Sequence, residues 1–369
     1  MNDDPIRSIA ISTGGGDAPG LNAVIRATVL AAEIRGWECW GIRDGYHGML
    51  SPEAYGGDGI VRLTRARVSG IAHLGGTILG TTNRGNPLCY PERRPDGSIV
   101  ERDRCNDLVA GLRERGLDAL VVVGGDGSLA IAYELAKRGV RVVGVPKTID
   151  NDLERTFMTF GFDTAVSFAT ECLDRLHSTA ASHHRIMVVE VMGRYAGWIA
   201  LHAGLAGNAA AILIPEIPFD LEKVADHIRR REKKGRLYTL VVVAEGAMPK
   251  GGQVSTVGKA AGQAERLGGV GEKIGRELEA LVGRETRVVV LGHLLRGGTP
   301  TSFDRLVALR FGAAAVRALE AGHSGVMVSL EPPHVRYQPL EALVGRMKRV
   351  SLASDTVTTA RDLGISFGD

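Results

Sequence analysis

Short, unbroken runs of β-branched and apolar residues recur along the chain, and most end in a loop rich in glycine or charge. The first, Ile6 to Ser12, enters Thr13-Gly14-Gly15-Gly16-Asp17-Ala18-Pro19-Gly20. Cys39 to Ile42, Ala119 to Val123, Val140 to Val145, Ile186 to Val191, Ala211 to Ile214, Leu237 to Ala244 and Val288 to Leu291 are of the same kind. Helical patterns lie between them, at Leu21 to Arg35, about Leu129 to Arg138, and Leu221 to Lys234. In the last of these Leu221, Val224, Ala225 and Ile228 fall at i, i+3, i+4 and i+7, and Gly235 is a natural stop. Strands alternating with helices predict an α/β fold with mainly parallel sheets and helices on both faces. In such sheets ligands bind beyond the carboxyl ends of the strands, where nearly all the polar motifs of this chain fall. Asn83 to Asp103 and Met248 to Gly271 are expected to be loops, and no repeat of fixed period is visible.

Composition narrows the function classes. At 369 residues the chain is long enough for two cores. A net charge of +3, with basic residues inside motifs rather than in a tail, favours small anionic ligands over nucleic acid. Aromatics are few at 5% and glycines many at 49, which suits close backbone turns around a ligand. The cysteines Cys39, Cys89, Cys105 and Cys172 lack metal spacing and read as free thiols of a reducing compartment. No apolar run reaches the ~18–20 residues of a membrane helix, and the acidic first residues, without an apolar core, are not expected to act as a signal peptide. A cytoplasmic protein without membrane or nucleic-acid partners is expected.

Two loops carry the chemistry. Gly124-Gly125-Asp126-Gly127-Ser128 follows one apolar run and Pro146-Lys147-Thr148-Ile149-Asp150-Asn151-Asp152 the next. Glycines let backbone N–H groups approach phosphate oxygens. One carboxylate can hold Mg²⁺ and another can take a proton from an attacking hydroxyl, the parts of a phosphoryl-transfer site. Gly14 to Asp17 alone would fit a tight turn, although the helix it enters could bind an anion at its N-terminus. Taken alone, Arg185 and Arg287 read as surface charges, and His183-His184 as structural.

Together these stretches resemble the bacterial-type 6-phosphofructokinase family, including its mixed subgroup with Gly and Lys at the positions of Gly127 and Lys147. The resemblance covers nearly the whole chain. It runs from Gly15-Gly16-Asp17-Ala18-Pro19-Gly20-Leu21-Asn22 through the two loops, Ser182-His183-His184-Arg185 and Met192-Gly193-Arg194-Tyr195-Ala196-Gly197. It continues through Glu245 and Gly283-Arg284-Glu285-Thr286-Arg287 to Gly292-His293-Leu294-Leu295-Arg296-Gly297-Gly298. It implies two doubly wound, Rossmann-like domains with the active site between them. The larger, for the nucleotide or phosphoryl donor, would comprise 1–161 and 295–346, and the smaller, for fructose 6-phosphate, 162–294 and 347–369. The implied reaction is phosphorylation of fructose 6-phosphate at its 1-hydroxyl with ATP and Mg²⁺, in a homodimer or homotetramer whose active sites are shared between subunits.

By the same resemblance Asp150 is the catalytic base, Asp126 the Mg²⁺-associated carboxylate, and Asp152 lies near the same centre. Gly16 donates its backbone N–H to the transferred phosphoryl, while Thr148 and Arg194 stabilise its charge. Gly125, Gly127, Ser128, Lys147 and Arg84 belong to the donor side. Ile149, Met192, Gly193, Glu245, His293, Leu294, Leu295 and Arg296 belong to the sugar phosphate. Arg185 and Arg287 reach the 6-phosphate from a neighbouring subunit. Gly127 fits ATP, whereas Lys147 is the residue of pyrophosphate-dependent members. The alternatives are therefore a reversible pyrophosphate enzyme and an inert nucleotide-binding regulatory subunit. Arg26, Lys234 and Arg236 match effector-site cations, but Leu30 and His177 replace arginines, so a weak or absent effector response is expected.

Overall fold

The structure, a computed structural model, describes residues 5–57, 59–83, 85–258 and 266–369. The chain runs β1 (Ser8–Thr13), α1 (Leu21–Ile34), β2 (Glu38–Ile42), α2 (His47–Leu50), β3 (Ile60–Leu63), β4 (Tyr90–Arg93) and β5 (Ile99–Arg102). It goes on through α3 (Cys105–Glu114), β6 (Ala119–Gly124), α4 (Asp126–Lys137), β7 (Arg141–Pro146), α5 (Phe162–His183), β8 (Ile186–Val191), α6 (Trp198–Ala206) and β9 (Ala211–Leu213). Then come α7 (Leu221–Lys233), β10 (Thr239–Ala244), β11 (Thr256–Gly258), β12 (Arg266–Leu267), α8 (Val270–Val282) and β13 (Thr286–Val290). The last elements are α9 (Ser302–Glu320), β14 (Val326–Glu331), β15 (His334–Pro339) and α10 (Asp355–Asp362).

Two compact units share these elements. The first comprises Met1–Thr148, Leu153–Gly161 and Arg296–Met347, and the second Ile149–Asp152, Phe162–Leu295 and Lys348–Asp369. The division falls inside the second chemistry-bearing loop, between Thr148 and Ile149.

In the first unit seven strands form one sheet in the order β15-β14-β7-β6-β1-β2-β3. β14, β7, β6, β1 and β2 are parallel, and antiparallel β15 and β3 close the edges. The central runs are apolar throughout because both faces are covered. Ile9, Ile11, Val121, Val123, Val143 and Val145 pack on the side of α1 and α9. Their chain neighbours Ala10, Leu120, Val122 and Val142 pack on the side of α3 and α4. Each such Val, Leu or Ile contributes about 1.5–3 kcal/mol by leaving water. Gly312 sets the closeness of α1 and α9: a Cβ there would lie 2.6 Å from the Val24 carbonyl oxygen.

The second unit holds an all-parallel four-stranded sheet in the order β13-β8-β10-β9. One face carries α7 and α8 over Ile186, Val188, Leu213, Val241 and Val243. The other carries α5 and α6. The doubly wound α/β architecture expected from the residue pattern is borne out.

Two local expectations need correcting. α4 starts at Asp126 rather than near Leu129, because Gly125 takes the N-cap position and the loop-like residues Gly127 and Ser128 fill the first turn. The stretches expected to be loops also contain short antiparallel hairpins, β4–β5 and β11–β12. The first turns through Pro95-Asp96-Gly97-Ser98, where the Asp96 carboxylate accepts the Ser98 N–H at 2.9 Å.

Candidate active site

In the first unit the chain leaves β1 toward β2 and β3 on one side and returns to β6 and β7 on the other. The border between β1 and β6 is therefore the point where strand order reverses, the usual crevice for a ligand in an open α/β sheet. Both glycine loops sit at its carboxyl end. Gly14 N–H donates to the Val123 carbonyl at 3.0 Å, and Lys147 N–H to that of Gly124 at 2.9 Å, so the loops after β1, β6 and β7 are joined. Ser128 fills the space between them. A Cβ at Gly14 would lie 2.8 Å from its Oγ and one at Gly124 2.2 Å from its Cβ, which explains both glycines.

Asp126 and Gly127 are exposed at the N-terminus of α4, where unpaired amides and the helix dipole favour an anion. A Cβ at Gly127 would meet nothing within 4 Å. Lys147 is buried, and its ammonium group donates to the Gly16 carbonyl. Arg296, expected on the sugar-phosphate side, packs on this β1 loop. Its Nη1 donates to the Asp17 carbonyl at 3.2 Å, and a Cβ at Gly16 would meet it at 2.7 Å. Thr148 is buried, and its carbonyl accepts from Thr159 Oγ1 at 2.8 Å. Arg84 lies outside the described residues. Nearby, Thr81 Oγ1 donates to the Gly15 carbonyl at 2.6 Å and ties its segment to the β1 loop.

In the second unit Asp150 is only 4% exposed and Asp152 half-buried. β8 and β10 are neighbours ending at Val191 and Ala244, which sets Met192-Gly193-Arg194 beside Glu245. Glu245 Oε1 accepts the N–H of Gly193 at 3.3 Å and of Arg194 at 3.0 Å. Arg194 holds φ +51, a conformation that costs a non-glycine residue about 1–3 kcal/mol and often marks a functional turn. Burial pushes the Glu245 carboxyl up, the two amides oppose this, and the charge of nearby Asp150 adds to it. The two carboxylates therefore lie within electrostatic reach of each other. His293 and Leu294 are exposed just beyond β13. Ile149 and Leu295 are buried, so either can meet a ligand only through its backbone.

Arg185 and Arg287 are elsewhere. They stand at the amino ends of the paired strands β8 and β13, whereas Met192 to Arg194 follow the carboxyl end of β8. Six residues of strand separate the two ends, about 20 Å at ~3.3 Å per residue. Glu285 bridges the two arginines, with Arg185 Nε at 2.5 Å and Arg287 as the other partner. The Arg185 hydrogen bond first, and then the charges of both arginines, hold the Glu285 carboxyl low. Glu285 lies 100 residues from Arg185, and only its place between Arg284 and Arg287 hints at this role.

His177 is committed to structure: its Nε2–H donates to the Gly207 carbonyl at 2.7 Å and its ring meets Tyr238 edge-on. Among the described residues no cluster of three or more His, Cys, Asp or Glu side chains forms a metal cage, and no helix is long and apolar enough to cross a membrane.

Glycine loops at the reversal point of a doubly wound sheet in one unit, and clustered carboxylates at the strand ends of a parallel sheet in the other, are the parts of an enzyme of the phosphoryl-transfer class. The phosphofructokinase family profile matches residues 8–319, and the chain belongs to that family. A Chloroflexus aurantiacus protein named ATP-dependent 6-phosphofructokinase is 52% identical over 98% of both chains. An Amycolatopsis methanolica protein named pyrophosphate–fructose 6-phosphate 1-phosphotransferase is 49% identical over 93% of this chain and 96% of its own. The crystal structure of Pichia pastoris phosphofructokinase in the T-state superposes with a TM-score of 0.78 at 32% identity, covering 98% of this chain and 37% of that longer one.

Proposed function

We propose that the protein transfers the terminal phosphoryl group of ATP to the 1-hydroxyl of fructose 6-phosphate, giving fructose 1,6-bisphosphate in glycolysis in the cytoplasm. Asp150 takes the hydroxyl proton as the oxygen attacks. The Gly16 N–H, Thr148 and Arg194 balance charge on the moving group. Met192, Gly193, Glu245 and His293 hold the sugar phosphate, together with Arg296 and the backbone of Ile149, Leu294 and Leu295. Gly125 to Ser128 with Lys147 and Arg84 receive the donor, and Asp152 supports the same centre. Asp126 fits Mg²⁺, which keeps several waters and takes one or two carboxylates besides the phosphates, whose charge it neutralises.

The observation that carries ATP as donor is the open ground at Gly127, next to Asp126 at the α4 N-terminus. A pyrophosphate-dependent reaction is favoured by one feature, the buried Lys147 ammonium on the Gly16 loop. A cation there assists either donor, so it does not outweigh room for a nucleotide. An inert regulatory subunit would tolerate loss of Gly16, Asp126, Thr148, Asp150 or Arg194, and all are present. A coupled assay with fructose 6-phosphate, supplied with ATP and pyrophosphate in turn, separates the three. We expect higher kcat/KM with ATP. Equal or better use of pyrophosphate would make Lys147 the deciding residue, and no turnover with either would leave the regulatory reading.

The ~20 Å between Arg185 and Arg194 along β8 motivates a second element. Arg185 and Arg287 serve the 6-phosphate of a neighbouring subunit in a homodimer or homotetramer, because paired guanidinium groups suit a dianion. Asp150→Asn and Arg287→Ala subunits, each inactive alone, are expected to regain activity when mixed, since some hybrid sites carry neither lesion. No recovery after subunit exchange has been verified by mass would count against shared sites.

A further inference from the structure

The two residues that follow Asp150 are held from the far end of the chain. Asn151 has φ +52, in the left-handed region that an ordinary side chain resists. Its Oδ1 accepts from Lys348 Nζ at 3.1 Å, across 197 residues of sequence. The Asp152 carbonyl accepts from the backbone N–H of the same Lys348 at 2.8 Å. One residue thus grips both positions on the carboxyl side of Asp150, in a stretch with no regular secondary structure of its own.

Lys348 is itself fixed. Its carbonyl accepts from Trp198 Nε1 at 3.0 Å, and its ammonium stands 5.2 Å from the centre of the Trp198 ring, a cation–π contact. Trp198 opens α6, and the Glu216 carboxylate accepts the preceding Gly197 N–H at 3.1 Å and the Val350 N–H at 2.9 Å. The 348–350 segment and the start of α6 are thereby sewn to each other. His202 packs on Trp198 and Phe162, with ring centres 6.0 and 5.2 Å apart. Burial first, and the Lys348 charge second, push its ring pKa down.

We propose that Lys348 is a positioning residue that holds the Asp150 carboxylate in its reactive place through Asn151 and Asp152. This rests on the reading of Asp150 as the base. Lys348 need not touch the reacting atoms. A displacement of ~1 Å in a reacting group can cost as much as ~10²-fold in rate, and an irregular loop keeps to such a tolerance only where its backbone is pinned.

The test is steady-state kinetics with fructose 6-phosphate and ATP, with thermal melting of every variant. Lys348→Met keeps length and packing over Trp198 but removes the donor. It is expected to lower kcat by about 10-fold or more while KM for fructose 6-phosphate stays within about twofold. Lys348→Arg restores a cationic donor and is expected to recover most of the loss. Asn151→Gly suits the left-handed backbone, removes the Oδ1 acceptor of Lys348, and should reproduce the fall in kcat even where Lys348→Met folds poorly. On an Asp150→Asn background Lys348→Met should cost little more, because its effect passes through the missing base. Unchanged kcat in Lys348→Met or Asn151→Gly overturns the proposal. So does an equal further loss on the Asp150→Asn background, or a fall in kcat that only tracks the melting temperature and is not rescued by arginine. Normal activity of Asp150→Asn itself would instead remove the base, and with it the reading beneath the proposal.

Discussion

Asp150→Asn is expected to lower kcat by roughly 10²–10⁴-fold, the usual worth of a general base. The substitution keeps size and shape at a position only 4% exposed, so neighbouring packing is retained. Fructose 6-phosphate should still bind, because the cations and backbone donors proposed for it lie on other residues. The signature is therefore a fall in kcat and kcat/KM together with little change in KM. Glu245 is one nearby carboxylate that could stand in, but its Oε1 already accepts the Gly193 and Arg194 amides. Steady-state kinetics with saturating ATP measure the effect, and more than about half of normal kcat would exclude Asp150 as the base.

The parallel strands were legible because burial on both faces leaves runs such as Ala119 to Val123 without polar alternation. Their order was not, since nothing local says that β6 lies against β1 while β2 takes the other side. The start of α4 differs from the expected one because glycine and serine read as loop residues, although they are tolerated in a first helical turn. At the candidate site, the loops that bear Asp126 and Asp150 announce themselves by composition and by following apolar runs. What is missing from such a reading is contact across sequence. Glu285 between two arginines and Lys348 on Asn151 join positions 100 and 197 residues apart. The exposure of Gly127 and the burial of Ile149 and Leu295 likewise follow from tertiary packing, not from the motifs that contain them.

Gly127→Asp should abolish most ATP use while leaving the fold intact. A Cβ at this position meets nothing within 4 Å, and an acidic residue in the first turn of α4 is favoured by the helix dipole. Loss of activity can then be assigned to the ligand rather than to misfolding. A second carboxylate beside Asp126 would face the α-phosphate of ATP. Two like charges ~4 Å apart cost about 4 kcal/mol at the effective dielectric of a protein surface, or roughly three decades in affinity for the nucleotide. Pyrophosphate has no group at that position and escapes the repulsion. Its use should therefore change far less, although removing one donor does not build contacts for the other. Kinetics with both donors on both proteins, with melting curves as the control for folding, decide the matter. A variant that keeps kcat/KM for ATP within about threefold of the wild type would show that the nucleotide does not pass beside residue 127. The donor preference would then have to be sought at Lys147, whose ammonium already sits on the Gly16 carbonyl.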